Sequence, residues 1–126
     1  MPKNVPDLPG IEPGSYPFSK VVEANGFVFL AGQVGDLPGG HGAAPGGIVP
    51  ETRAMLDNVG RLLRAAGLDY ADVVKCTVYL RDFGEFAEFN AVYREYFPTE
   101  PPTRATVGVT ALAEDFGVEI EVLAVR

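Results

Sequence analysis

The stretch PPTRATVGV, residues 101–109, sets two prolines ahead of Arg104, followed by the strand-like Thr106, Val107 and Val109. Prolines cannot donate to a strand ladder, and they stop a helix arriving from the left. A guanidinium keeps its charge at any working pH and is costly to bury unpaired. Arg104 therefore calls for an anionic partner, which is either a carboxylate of the protein or a ligand. Glu119 and Glu121 stand two apart in VEIEVLAV, so they point one way while Val118, Ile120 and Val122 point the other. One reading makes them solvated guards of an edge strand against aggregation. The other makes them acid–base groups. A structural salt bridge between Arg104 and Glu119 is the plain alternative to a ligand site, and spacing alone does not decide between them.

Other chemistries lack their residues. His41, the single histidine, lies in the loop GDLPGGHGAAPGG, residues 35–47, where nothing orients an imidazole for a nucleophilic site. The same glycines do not cradle phosphate, because no Gly-Lys-Ser/Thr follows and the GxGxxG spacing is absent. One histidine and one cysteine cannot supply a zinc deaminase, and the acidic residues show no EF-hand spacing, so neither metal nor cofactor is expected. Cys76 alternates with Val74 and Val78 and reads as a packed, inert thiol.

The elements that must position these groups follow from periodicity. Residues 1–17 carry five prolines and read as an extended arm. Apolar runs at 20–23 and 27–30 flank Ala24-Asn25-Gly26, a hairpin signal, and Ala31-Gly32-Gln33 ends the second strand. Met55, Leu56, Val59, Leu62 and Leu63 fall at helical spacing over 51–66, with Gly67 at the C′ position. Residues 72–81 form a strand, with Val74, Cys76, Val78 and Leu80 on one face and Val73, Lys75, Thr77, Tyr79 and Arg81 on the other. A second helix spans 84–97, with Phe86, Phe89, Val92 or Tyr93, and Phe97 inward; strands follow at 104–109 and 118–125. The order implies an α+β domain, one mixed sheet with two helices on one face. Tyr79, Val73, Leu123 and Val125 then remain on the uncovered face, which calls for an oligomer.

With 126 residues, 47% of them apolar, the chain has the size and composition of one domain with a real core. The net charge is −7 and the three lysines and seven arginines are scattered, so nucleic acid is not an expected partner. No apolar run reaches the ~18 residues of a membrane span. The N-terminus lacks an apolar signal region, and one cysteine permits no internal disulfide, so a soluble cytoplasmic protein is expected.

PPTRATVGVTALAEDFGVEIEVLAV resembles the C-terminal signature of the RidA (YjgF/L-PSP) family of enamine/imine deaminases. Gly14-Ser15-Tyr16, NGFVFLAGQVG and the segment LDNVGRLLRAAGLDYADVVKCTVYLRDFGEFAEFNAVYREYF match further family motifs in order, from about residue 14 to 125. The resemblance implies a single RidA-like domain over 1–126, a chorismate-mutase-like α+β fold, and a homotrimer with pockets between subunits. It implies that Arg104 binds a substrate carboxylate and that Glu119 positions a water. Tyr16, Gly32 and Asn90 belong to the implied pocket, and Thr106 stands where many members carry cysteine. Ala31 replaces the serine before Gly-Gln. The implied activity is hydrolysis of small 2-imino acids such as 2-iminopropanoate. The alternatives are a non-catalytic carboxylate-binding, regulatory or chaperone-like trimer and, by family naming, an endoribonuclease.

Overall fold

The hairpin forms where Asn-Gly requires it. Strands β1 (Val21–Ala24) and β2 (Phe27–Val34) pair antiparallel across Asn25 and Gly26, both left-handed at φ 53° and 82°. Two consecutive left-handed residues make the turn whose twist matches that of the strands it joins. The computed structural model describes residues 2–126; Met1, the first residue of the expected arm, lies outside the described residues. In the arm, Asn4 forms an isolated bridge with Glu23, while Leu8 and Ile11 pack against the core.

Helix α1 (Ile48–Ala65) begins three residues before the sequence reading, because Pro50 sits in the first turn, where a missing N–H costs nothing. Gly67 follows its end at φ 82°, as a C′ glycine should. Strand β3 (Val73–Leu80) leads through a short turn into α2 (Phe86–Tyr96). The Asp82 side chain accepts the Gly84 N–H at 2.9 Å in that turn. Phe97 and Pro98 end the helix, and four further residues of a proline-rich connection bring the chain to β4 (Thr103–Gly108). Strand β5 (Val118–Val125) closes the sheet.

The strand order is β1-β2-β5-β3-β4, all antiparallel except the β3–β4 pair. Both helices lie on one face, over a core that includes Met55, Leu63, Phe89, Val78 and Ile120. Two readings need correction here. β5 occupies the centre of the sheet, so Glu119 and Glu121 are not edge-strand guards. Val73 does not belong to the uncovered face: it is buried, and Val74 is the exposed neighbour. A register shift between Val73 and Lys75 in the β3–β5 ladder inserts an extra residue and reverses the alternation at the strand's start. The uncovered face keeps an apolar patch all the same. Phe27 pairs with Val125 and Phe29 with Leu123, and the two phenylalanines are about half exposed. Among the described residues, no helix is long and apolar enough to cross a membrane.

Candidate functional site

Arg104 is the second residue of β4, opposite Cys76 of β3. Cys76 is fully buried beneath the helices, so Arg104 projects to the same side. There α2 supplies a wall of rings, because Phe86, Phe89 and Tyr93 recur at helical spacing. The guanidinium carbon lies 5.6 Å from the Phe86 ring centre, 5.4 Å from Phe89 and 4.5 Å from Tyr93. Ring faces attract the cation electrostatically. Its five N–H donors form a planar fork that suits a planar acceptor. No carboxylate pairs with Arg104 among the described residues. A cavity of about 490 Å3 opens beside it, lined by Asn90, Tyr93, Arg94, Phe97 and three prolines. It holds two arginines and no acid. Thr106 follows on the same side of β4, and its hydroxyl oxygen is buried without a hydrogen-bond partner. The neighbouring Cys76 thiol is pushed up to about 11 by burial, which fits an inert packed group.

Glu119 lies on the opposite face. Its neighbours Val118 and Ile120 are fully buried under the helices, while Glu119 is half-buried on the uncovered side. It pairs across the sheet with Val34 on β2 and Tyr79 on β3. The β2–β5 ladder is irregular between Leu30 and Gln33, and Gly32 lies within that irregularity. A Cβ at Gly32 would collide with the Glu119 carboxylate, so only glycine lets the acid lie flat on β2. A second cavity, about 420 Å3, is lined by Phe18, Ser19, Phe29, Ala31, Gly32 and Glu119 among others, with no cation. Burial, and then the Glu121 charge, raise the Glu119 carboxyl above its ordinary range. Glu121 accepts the Tyr79 hydroxyl at 2.6 Å. Tyr16, in the arm, stacks on Phe18 with centroids 5.1 Å apart.

The six expected residues thus sort into two groups. Arg104, Asn90 and Thr106 gather on the helix side. Glu119 and Gly32 gather on the uncovered side, with Tyr16 adjoining them through Phe18. No salt bridge joins Arg104 to Glu119 within the chain, because the sheet lies between them. Sequence reading assigned the α2 rings to the core and did not connect them with the arginine. Their signal was present: apolar residues at 86, 89 and 93 share the helix face that meets the following strand. Phe18 carried no periodic signal.

The family model described as Endoribonuclease L-PSP matches residues 12–126. A goat (Capra hircus) protein named 2-iminobutanoate/2-iminopropanoate deaminase is 41% identical over 110 residues, covering 87% of this chain and 80% of its own length. The crystal structure of E. coli TdcF with bound serine superposes with TM-score 0.83 at 35% identity, covering 90% of this chain and 91% of that one. Yeast Mmf1 gives TM-score 0.85 at 34% identity and covers 90% of both chains. From the arm to the last strand, this chain belongs to the RidA (YjgF/L-PSP) family.

Proposed function

We propose that the protein is a hydrolytic deaminase of small 2-imino acids, and that each active site joins the Arg104 side of one subunit to the Glu119 side of another in a homotrimer. One observation carries this reading. The chain holds an acid-free cationic cavity on one sheet face and a cation-free carboxylate cavity on the other. A 2-imino acid needs both: a cation for its carboxylate and an acid–base group for its C=N carbon. The apolar patch of Phe27, Phe29, Leu123 and Val125 supports association through the uncovered face. The names of the relatives support the reaction class, and the serine in TdcF is a small carboxylate bound by a relative.

The chemistry is spare. The substrate carboxylate takes two parallel hydrogen bonds from Arg104, which fix its orientation as well as its charge. Glu119 accepts a proton from a water as the oxygen attacks the imine carbon and passes it to the nitrogen, which gives a carbinolamine bearing C–OH and C–NH2. Glu119 then takes the hydroxyl proton and delivers it to the nitrogen as C=O forms, the C–N bond breaks, and ammonia and a 2-oxo acid leave. The raised proton affinity of Glu119 favours this shuttle, since an acid–base group works best with a pKa near the operating pH. Imines already hydrolyse in water, so the demand on the protein is positioning and one proton relay. The −7 charge argues against RNA as substrate.

Mixed trimers test both parts of the proposal. An amino-acid oxidase generates the imine, and semicarbazide trapping reports how much escapes hydrolysis. Arg104→Ala and Glu119→Gln chains are each expected to be strongly impaired alone when the imine is kept below KM. Co-folded in equal amounts, they should regain activity at about a quarter of the sites, where an intact arginine meets an intact glutamate. No regain at any ratio, with mixed trimers verified by mass, overturns the shared site. Wild type that binds a 2-oxo acid through Arg104 but accelerates no small imine is a carboxylate sensor instead.

A further inference from the structure

Glu51, in the first turn of α1, is a carboxylate with no place in the chemistry above. It is 7% exposed, and no lysine or arginine pairs with it among the described residues. Burying such a group is costly unless hydrogen bonds satisfy it. Its partners are backbone: one carboxylate oxygen accepts the Gly117 N–H at 2.7 Å and the Val118 N–H at 3.2 Å. Those two amides immediately precede Glu119.

The same residue meets the facing strand. Gly35 follows Val34, the cross-strand partner of Glu119. A Cβ at Gly35 would collide with the Glu51 carbonyl and lie 2.7 Å from its Cγ. At Gly117 an added Cβ would stand 3.1 Å from the other Glu51 carboxylate oxygen. Glycines therefore let both strands close on one side chain, at points one and two residues from the Glu119–Val34 pair. An apolar residue could fill this space without the desolvation cost. What it could not do is hold the two amides at the entry of β5, those of Gly117 and Val118, at a fixed distance from α1.

We infer that Glu51 is a positioning residue for Glu119: it fixes the entry of β5 against α1 and β2 and so sets where the Glu119 carboxylate lies over Gly32. The inference rests on Glu119 being the proton-relay group proposed above. It assigns a task to a residue that touches no substrate.

Glu51→Gln and Glu51→Leu test it together. Both remove the charge, but only glutamine keeps an oxygen that can accept the two amides. A displacement of about 1 Å at a reacting group can cost ~10²-fold in rate. Glu51→Leu is therefore expected to lower kcat by roughly ten- to a hundredfold. The affinity for a 2-oxo acid, set at Arg104, should stay unchanged, and Glu51→Gln should keep most of kcat. Assays run well below each variant's melting temperature separate positioning from loss of fold. Equal kcat in wild type and the leucine variant overturns the inference, as does an equal fall in both variants, which would assign the effect to the charge.

A second readout does not depend on turnover. The Glu119 carboxyl is titrated by 13C NMR in all three proteins. The leucine variant should differ from the glutamine variant, since they share the charge change and differ in the hydrogen bonds. Coincident titrations would overturn the positioning role even if wild type proved inactive toward imines. Distinct titrations in an inactive protein would retain it and reject the deaminase reading alone.

Discussion

Around Arg104 the contacts are three aromatic faces from one helix; around Glu119 they are the main chain of Gly32 and the charge of a second carboxylate. The rings stabilise a charge that never changes and leave its hydrogen-bond donors unused. The surroundings of Glu119 destabilise a charge that can change, through burial and like-charge repulsion. In the function proposed above, one side of the sheet holds the substrate anion and the other exchanges a proton. Neither is a complete site, and the sheet keeps them apart within the chain. Substitutions on the two sides should therefore fail in different ways.

The largest expected effect is on the Glu119 side. Glu119→Gln keeps the shape over Gly32 and removes the proton acceptor. Losing general acid–base catalysis typically costs ~10²–10⁴ in rate. Imine turnover should fall by that much, while calorimetry shows 2-oxobutanoate still binding. Retained turnover in this variant would place the proton relay elsewhere and dissolve the contrast between the two sides.

The next effect is on the Arg104 side and should appear in binding. Removing a charge-assisted hydrogen-bonded pair costs roughly 1.5–3 kcal/mol, about ten- to 150-fold in affinity. Arg104→Ala should weaken 2-oxobutanoate binding within that range, with kcat/KM falling alongside. Arg104→Lys returns a charge without the planar fork that stands beside the rings, so it should recover only part of the binding. Full recovery by lysine would mean that the aromatic wall adds no geometric selection.

How much of this was legible in the sequence differs between the same two regions. The Arg104 side was nearly all visible: two prolines, an arginine opening a strand, and an aromatic helix face just before it. Only the link between the rings and the arginine was missing, because inward aromatics read first as core. The Glu119 side was half visible. Alternation placed Glu119 and Glu121 together, but β5 read as an edge strand, since strand order depends on long-range pairing that no local pattern encodes. The register shift at Val73–Lys75 left no mark either, so Val73 and Val74 exchanged faces. Glu51 was hidden by its position, because an acid in the first turn of a helix is expected for the helix dipole alone. Its burial follows from Gly35 and Gly117, which are distant in sequence and meet it only in the fold.

The smallest effect sharpens the account of Glu119 itself. Two causes raise its proton affinity, burial first and the Glu121 charge second. Glu121→Gln removes the second cause only. Its side-chain oxygen can still accept the Tyr79 hydroxyl, now bonded at 2.6 Å, so local structure should persist. Glu119 must be ionised to take a proton from water, so activity is lost as pH falls through its pKa. Taking away the neighbouring charge lowers that pKa toward the ordinary carboxylate value. The acid limb of kcat/KM should therefore move to lower pH, with the plateau at higher pH unchanged. Because the substrate can titrate too, the quantity to plot is the ratio of variant to wild type, in which substrate ionisation cancels. That ratio should rise above one only on the acid side. A flat ratio would leave burial as the sole cause, and a ratio below one on the acid side would mean that Glu121 helps ionise its neighbour, contrary to the repulsion argued here.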